Sequence, residues 1–140
     1  MTMFLAVLAT VGMAISTYFS CIAYQWVTPD TRWIPKICRM DKNTCASVVF
    51  TPTARIFGPQ NSLLGQIYYS ALLVAIALNA LEHFHVWLLF LAVSVVTTAV
   101  ALYLSYVLLI ILRTSCLLCF TSHGINVAIF TLLLLSPQTD

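Results

Sequence analysis

Long unbroken apolar runs organise this chain, in place of the alternation of a half-buried strand or the one-sided stripe of a soluble helix. Four such runs are readable, over residues 3–27, 63–81, 86–112 and 116–136. Each is near or above the length of about 20 apolar residues that a helix needs to cross a hydrocarbon core of about 30 Å. The first run carries no charge and lacks the basic leader and short apolar core of a signal peptide, so a retained span is expected. Glu82, His83 and His85 separate the second and third runs by so short a connection that an antiparallel hairpin is expected. At about 1.5 Å per residue the third run overshoots the bilayer core, which calls for tilt or an interfacial end. Arg113 and Thr114 interrupt it, and Pro137 marks the end of the fourth.

Residues 28–62 break the pattern. Pro29, Pro35, Pro52, Pro59 and Gly58, with most of the charges, describe an aqueous loop that has room for short helical turns. A loop this long in a compact protein tends to be functional or disordered. Because a bilayer span must satisfy its backbone groups internally, the expected fold is an all-α membrane protein. Its four transmembrane helices form one bundle, a single domain over residues 1–140, and the loop between helices 1 and 2 caps one end. Gly12, Ser16 and Ser20 make a small-residue ridge on the first helix, a spacing too common in apolar helices to carry functional weight.

Composition sharpens this picture. The chain is 61% apolar and only 7% charged, with a mean hydropathy of +1.00, which excludes a water-soluble globule. A net charge of +2 with no basic face gives no reason to expect nucleic-acid binding. Five of the six Lys and Arg residues lie in the first loop and the sixth is Arg113. The positive-inside rule then puts the loop in the cytoplasm and both termini outside.

Candidate chemistry resides in the five cysteines, Cys21, Cys38, Cys45, Cys116 and Cys119. Cys116 and Cys119 form a C-x-x-C at the first turn of the fourth helix, with Thr114 or Ser115 as the expected N-cap. Free backbone N–H groups and the positive end of the helix dipole there favour a thiolate. Cys38 and Cys45 sit in the loop among Lys36, Arg39 and Lys42. Four spans place the first and third connections on one membrane face, so the two dithiols share a side and thiolate attack can pass a disulfide between them. A structural staple in the loop is the plainer alternative. Zinc is a weaker one, since the loop spacing is atypical and the C-x-x-C lies on an apolar helix.

Cys116, Cys119, His123 and Asn126 follow spacings of 3, 4 and 3, so at about 100° per residue they share roughly one quadrant of the helix. A polar stripe on a bilayer helix faces the bundle interior, where His123 is a functional candidate or a hydrogen bond between helices, and Asn126 reads more as the latter. A dithiol releasing two electrons and two protons beside a hydrocarbon core needs an acceptor that lipid can carry. A quinone fits, in a pocket of apolar and aromatic walls with hydrogen-bond donors. Asn61 is one donor candidate, although Asn61 followed by Ser62 also looks like an ordinary N-cap, and Tyr68 and Tyr69 supply aromatic surface.

An ordered set of motifs now stands out: Gly-Met-Ala-Ile-Ser-Thr-Tyr from Gly12 to Tyr18, the Cys38 and Cys45 pair, Asn-Ser-Leu-Leu-Gly from Asn61 to Gly65 with Tyr68 and Tyr69, and Cys116-Leu-Leu-Cys119 through Ile125-Asn126-Val127. On these the chain resembles the vitamin K epoxide reductase family, four-helix membrane thiol:quinone oxidoreductases, over nearly its whole length. The resemblance implies that Cys116 and Cys119 form the active-site disulfide, with Cys119 nearer the quinone, that Cys45 exchanges with Cys116, and that Cys38 takes electrons from the reductant. It also implies that Asn61 hydrogen-bonds a quinone carbonyl. His123 stands where the animal enzymes carry a tyrosine, and the stretch from Phe57 to Asn61 is shorter than in animal members. No thioredoxin-like domain follows Ser136, unlike many bacterial members, so a separate thioredoxin-like redox partner is expected. Cys21 matches no catalytic position and reads as a small apolar filler.

The expected function is therefore an enzyme that oxidises a thioredoxin-like protein and passes the electrons to a membrane quinone, of the ubiquinone, menaquinone or vitamin K type, generating protein disulfides. Reduction of vitamin K or its epoxide, as in the animal enzymes, is the alternative within the class. A non-enzymatic tetraspan scaffold with a structural loop disulfide is the alternative outside it. Most relatives face the periplasm or the endoplasmic reticulum lumen, whereas the charge bias here suits a prokaryotic member with an inverted, cytoplasm-facing site.

Overall fold

The computed structural model describes residues 1–24, 26, 51–113 and 116–136. All its regular elements are helical: α1 (Thr2–Ala23), α2 (Asn61–Ala77), α3 (Phe84–Tyr106) and α4 (Leu117–Leu134). α1, α4, and α3 with the turn that extends it are long and apolar enough to cross a membrane, and α2, at 17 residues, is apolar but shorter. Side chains turned away from the bundle, such as Met3, Val95 and Leu102, are apolar and exposed, which is the surface a lipid environment requires. The chain is a membrane protein.

The helix ends differ from expectation in ways with local causes. α1 stops at Ala23, short of the apolar run, with Tyr24 as C-cap. α2 begins two residues early, at Asn61, and ends near Leu78, where Asn79 takes a left-handed φ of 52°. Asn tolerates that conformation better than most residues, and it turns the chain into a short 3₁₀ turn, Ala80–Glu82. At the other end of α3 the backbone widens into a π-helical turn over Val107–Ile111, closed by the bond from Leu112 N–H to Val107 O at 2.9 Å. Arg113 follows with φ 48°.

The helices pack as two pairs, α1 with α2 and α3 with α4, joined mainly across α1 and α4. The expected hairpin of α2 and α3 is not a packed pair: consecutive in the chain, the two have no extensive contact. They approach through the rings of Tyr68 and Phe90, 6.4 Å apart. Leu5, Ala9, Leu72, Ile129 and Leu133 fill the core at the end away from the loop, and there the Trp87 indole donates to Leu133 O at 3.1 Å, tying α3 to α4. A second cluster of Leu108, Cys116 and Cys119 closes the loop end.

α1 and α2 come close because of their small residues. A Cβ on Gly12 would lie 2.5 Å from Cζ of Tyr69, so that ring rests directly on the α1 backbone. A Cβ on Gly65 would meet Ser16 Oγ at 2.8 Å, and Ser20 Oγ donates to Ser62 Oγ at 3.1 Å. In a bilayer, helices gain little from excluding water and rely on close packing of this kind.

Candidate active site

The site starts at the first turn of α4. Cys116 is the N-cap, in extended backbone conformation, and its sulfur accepts the Cys119 N–H at 3.2 Å. The expected caps, Thr114 and Ser115, lie outside the described residues, and the capping role falls to Cys116 itself. Three residues apart at a helix start, Cys116 and Cys119 have Cα atoms 5.2 Å apart and are joined as a disulfide. This is ordinary spacing for the bond. Cys116 is completely buried under Leu108, which the π turn presses inward, while Cys119 reaches the wall of a cavity. π turns of this kind recur at functional sites.

That cavity, about 210 Å³, occupies the space left where α2 and α3 diverge. One wall is α3, with Thr97, Val100, Ala101 and Leu104; the opposite wall is α2, with Asn61, Leu64 and Tyr68. α4 lines it with Cys119, Ser122, His123 and Asn126, and α1 with Ser16 and Phe19. Ala54 and Phe57 of the loop reach its mouth. The volume is below the roughly 300 Å³ at which pockets for drug-sized ligands begin, and it suits a one- or two-ring head whose tail lies in lipid. The few polar groups among apolar walls are the composition such a ligand needs.

Asn61 is not the N-cap of α2, a place taken by Gln60. Its amide instead clamps the loop, donating from Nδ2 to Thr53 O at 3.1 Å and accepting the Ile56 N–H at Oδ1 at 3.4 Å. Among the described residues nothing accepts the other N–H of that amide, at the cavity mouth. Deeper down, the buried Tyr68 hydroxyl has no hydrogen-bond partner of normal geometry among the described residues, an arrangement costing about 1–3 kcal/mol until something accepts from it. Tyr69 donates to Asn126 Oδ1 at 2.7 Å, so Asn126 does bridge helices as the sequence suggests. His123 lies between Cys119 and Asn126 on the same wall.

Of the sequence candidates, Cys116, Cys119, Asn61, Tyr68 and His123 therefore converge at one end of the bundle. Cys38 and Cys45 lie outside the described residues. Cys21 carries a free, half-buried thiol on α1. The sequence reading missed the α3 wall, which has no polar signal to mark it, and the importance of Gly12, whose small-residue spacing was visible but undiscriminating. Among the described residues no cluster of His, Cys, Asp or Glu is arranged to hold a metal ion.

A helical membrane protein with a disulfide set in the wall of an apolar cavity belongs among the membrane-embedded thiol oxidoreductases. The model of the vitamin K epoxide reductase family matches residues 3–134, and the chain belongs to that family. Membership makes it an oxidoreductase of the thiol and quinone type. No curated protein matches the chain.

Proposed function

We propose that this protein oxidises a thioredoxin-like dithiol protein and delivers the electrons to a membrane quinone, so that disulfides are generated in other proteins. The observation that carries the reading is the placement of Cys119 on the wall of an apolar cavity that also holds the amide of Asn61 and the buried Tyr68 hydroxyl. In this scheme the reduced partner gives its electrons to a Cys38–Cys45 disulfide in the loop. The loop dithiol then attacks the Cys116–Cys119 disulfide, Cys45 at Cys116 with Cys119 leaving as the thiolate, and Cys38 attacks Cys45 of the mixed disulfide, which re-forms the loop disulfide and frees Cys116 as a thiol. Re-forming the Cys116–Cys119 bond releases two electrons and two protons, which reduce both quinone carbonyls to hydroxyls. The balance is one dithiol oxidised for each quinone reduced.

The chain's own residues have separable tasks. The Cys119 N–H, now donating to Cys116 sulfur, together with the positive end of α4 stabilises negative charge on sulfur at this turn. Asn61, clamped to Thr53, presents its remaining N–H at the mouth, and Tyr68 and His123 add donors among walls that exclude water. Fully reduced protein with a short-chain quinone would regenerate the Cys116–Cys119 disulfide, and reduced thioredoxin would sustain turnover. Cys116→Ala or Cys119→Ala that leaves quinone reduction intact would refute the scheme. Running the assay with vitamin K epoxide separates the animal-type activity. The basic loop supports a cytoplasm-facing site, and labelling of reduced Cys38 or Cys45 by an impermeant maleimide from outside intact cells would reverse that orientation.

A further inference from the structure

We propose that Asn126 donates an amide N–H to the inner carbonyl of the bound quinone, and that Tyr69 is the positioning residue that turns the amide that way; this rests on the quinone-reducing reading above. The Tyr69 hydroxyl donates to Asn126 Oδ1 at 2.7 Å. With its oxygen taken, the amide must direct Nδ2 elsewhere, and no described residue accepts from it. Asn126 is half-buried on the cavity wall, which leaves its free N–H groups available to a ligand seated in that space. Tyr69 is itself held firmly: it is 1% exposed, and its ring rests on Gly12, where any Cβ would collide with it. The glycine on α1 thus seats the tyrosine on α2, and the tyrosine orients the asparagine on α4.

The spacing suits a para-quinone. Tyr69 lies eight residues beyond Asn61 on α2, so at about 1.5 Å per residue its backbone is about 12 Å deeper in the bundle, and Asn126 is the residue it bonds there. Donors gripping both carbonyls of a para-quinone through hydrogen bonds of about 2.9 Å stand roughly 11 Å apart. Asn61 at the mouth and Asn126 at the floor then hold the ring at both ends, beside the Cys119 sulfur.

Tyr69→Phe keeps the ring against Gly12 and removes only the hydroxyl, whereas Asn126→Ala removes the donor itself. With the full chain in nanodiscs, reduced thioredoxin as donor and decyl-ubiquinone as acceptor, each variant is expected to raise KM for the quinone about five- to tenfold, the worth of one hydrogen bond. The kcat should stay within about twofold, because the lost contact serves binding. The double variant should be no worse than Asn126→Ala alone, since Tyr69 acts only through Asn126. Asn126→Ser, which retains a small donor, should recover part of the loss and stands in if the alanine variant does not fold. Unchanged KM in Tyr69→Phe overturns the proposal, as do additive losses in the double variant or a fall in thermal midpoint without a KM change. Wild-type protein that reduces no quinone would instead overturn the parent reading, and this one with it.

Discussion

The two ends of the bundle are built on opposite terms. Away from the loop, Leu72, Ile129 and Leu133 are sealed from solvent, with the Trp87 indole locking α3 to α4. Toward the loop, Val100 and Leu104 of α3 face the open cavity. The divide falls at Tyr68 and Phe90, above which α2 and α3 separate. In a bilayer, packing contacts and hydrogen bonds, rather than expelled water, hold helices together. Because α1 stays close to α2 even toward the loop, through Gly65 on Ser16 and the Ser20–Ser62 bond, the space between α2 and α3 can stay hollow there without the bundle coming apart. Rigidity in the solid half is what allows a ring-sized space, with few polar groups, to persist in the other.

Five substitutions break or sharpen this contrast. The largest effect is expected from Cys119→Ala, which removes the only sulfur of the C-x-x-C pair on the cavity wall: quinone reduction should fall by orders of magnitude, measured as turnover with reduced thioredoxin, while the solid half and the thermal midpoint stay nearly unchanged. Leu72→Ala strikes the packed half and should cost about 2–5 kcal/mol of stability, read by thermal or denaturant unfolding in detergent. An equal loss from Leu104→Ala, on the hollow side, would show that the two halves are not mechanically distinct. Val100→Phe fills the cavity from α3; KM for the quinone should rise about tenfold with stability changed by less than about 1.5 kcal/mol, because the added ring enters empty space. Of the losses in stability, the smallest is expected from Asn61→Ala, which frees Thr53 and Ile56 from the mouth and should cost about 1 kcal/mol, with faster amide exchange confined to residues 52–57, alongside the rise in quinone KM that loss of its own donor brings.

Much of the site was legible because it is written locally. The C-x-x-C at a helix start and the stripe of Cys116, Cys119, His123 and Asn126 depend only on helical periodicity, and the structure puts Cys119, His123 and Asn126 on one cavity wall. Asn61 was visible as a candidate, but its dipeptide with Ser62 suggested a cap, and only the folded loop shows it gripping Thr53. Thr114 and Ser115 carried the stronger capping signal, yet Cys116 takes the position. Capping depends on backbone angles at one residue, which composition does not specify.

By itself, the sequence determined that the chain is helical, that it lives in a membrane, and that its chemistry is sulfur beside an apolar space. Hydropathy and helical spacing are properties of near neighbours and of the surrounding solvent, and they survive without tertiary contacts. Only the tertiary structure decided that α2 and α3 splay apart, that the cavity opens between them, and that Gly12, Tyr69 and Asn126 form one chain of contacts from α1 to α4. Tyr69 and Asn126 are 57 residues apart, and nothing local relates them. Their meeting depends on how closely whole helices approach, and that distance is set where a glycine lets one backbone accept another helix's ring.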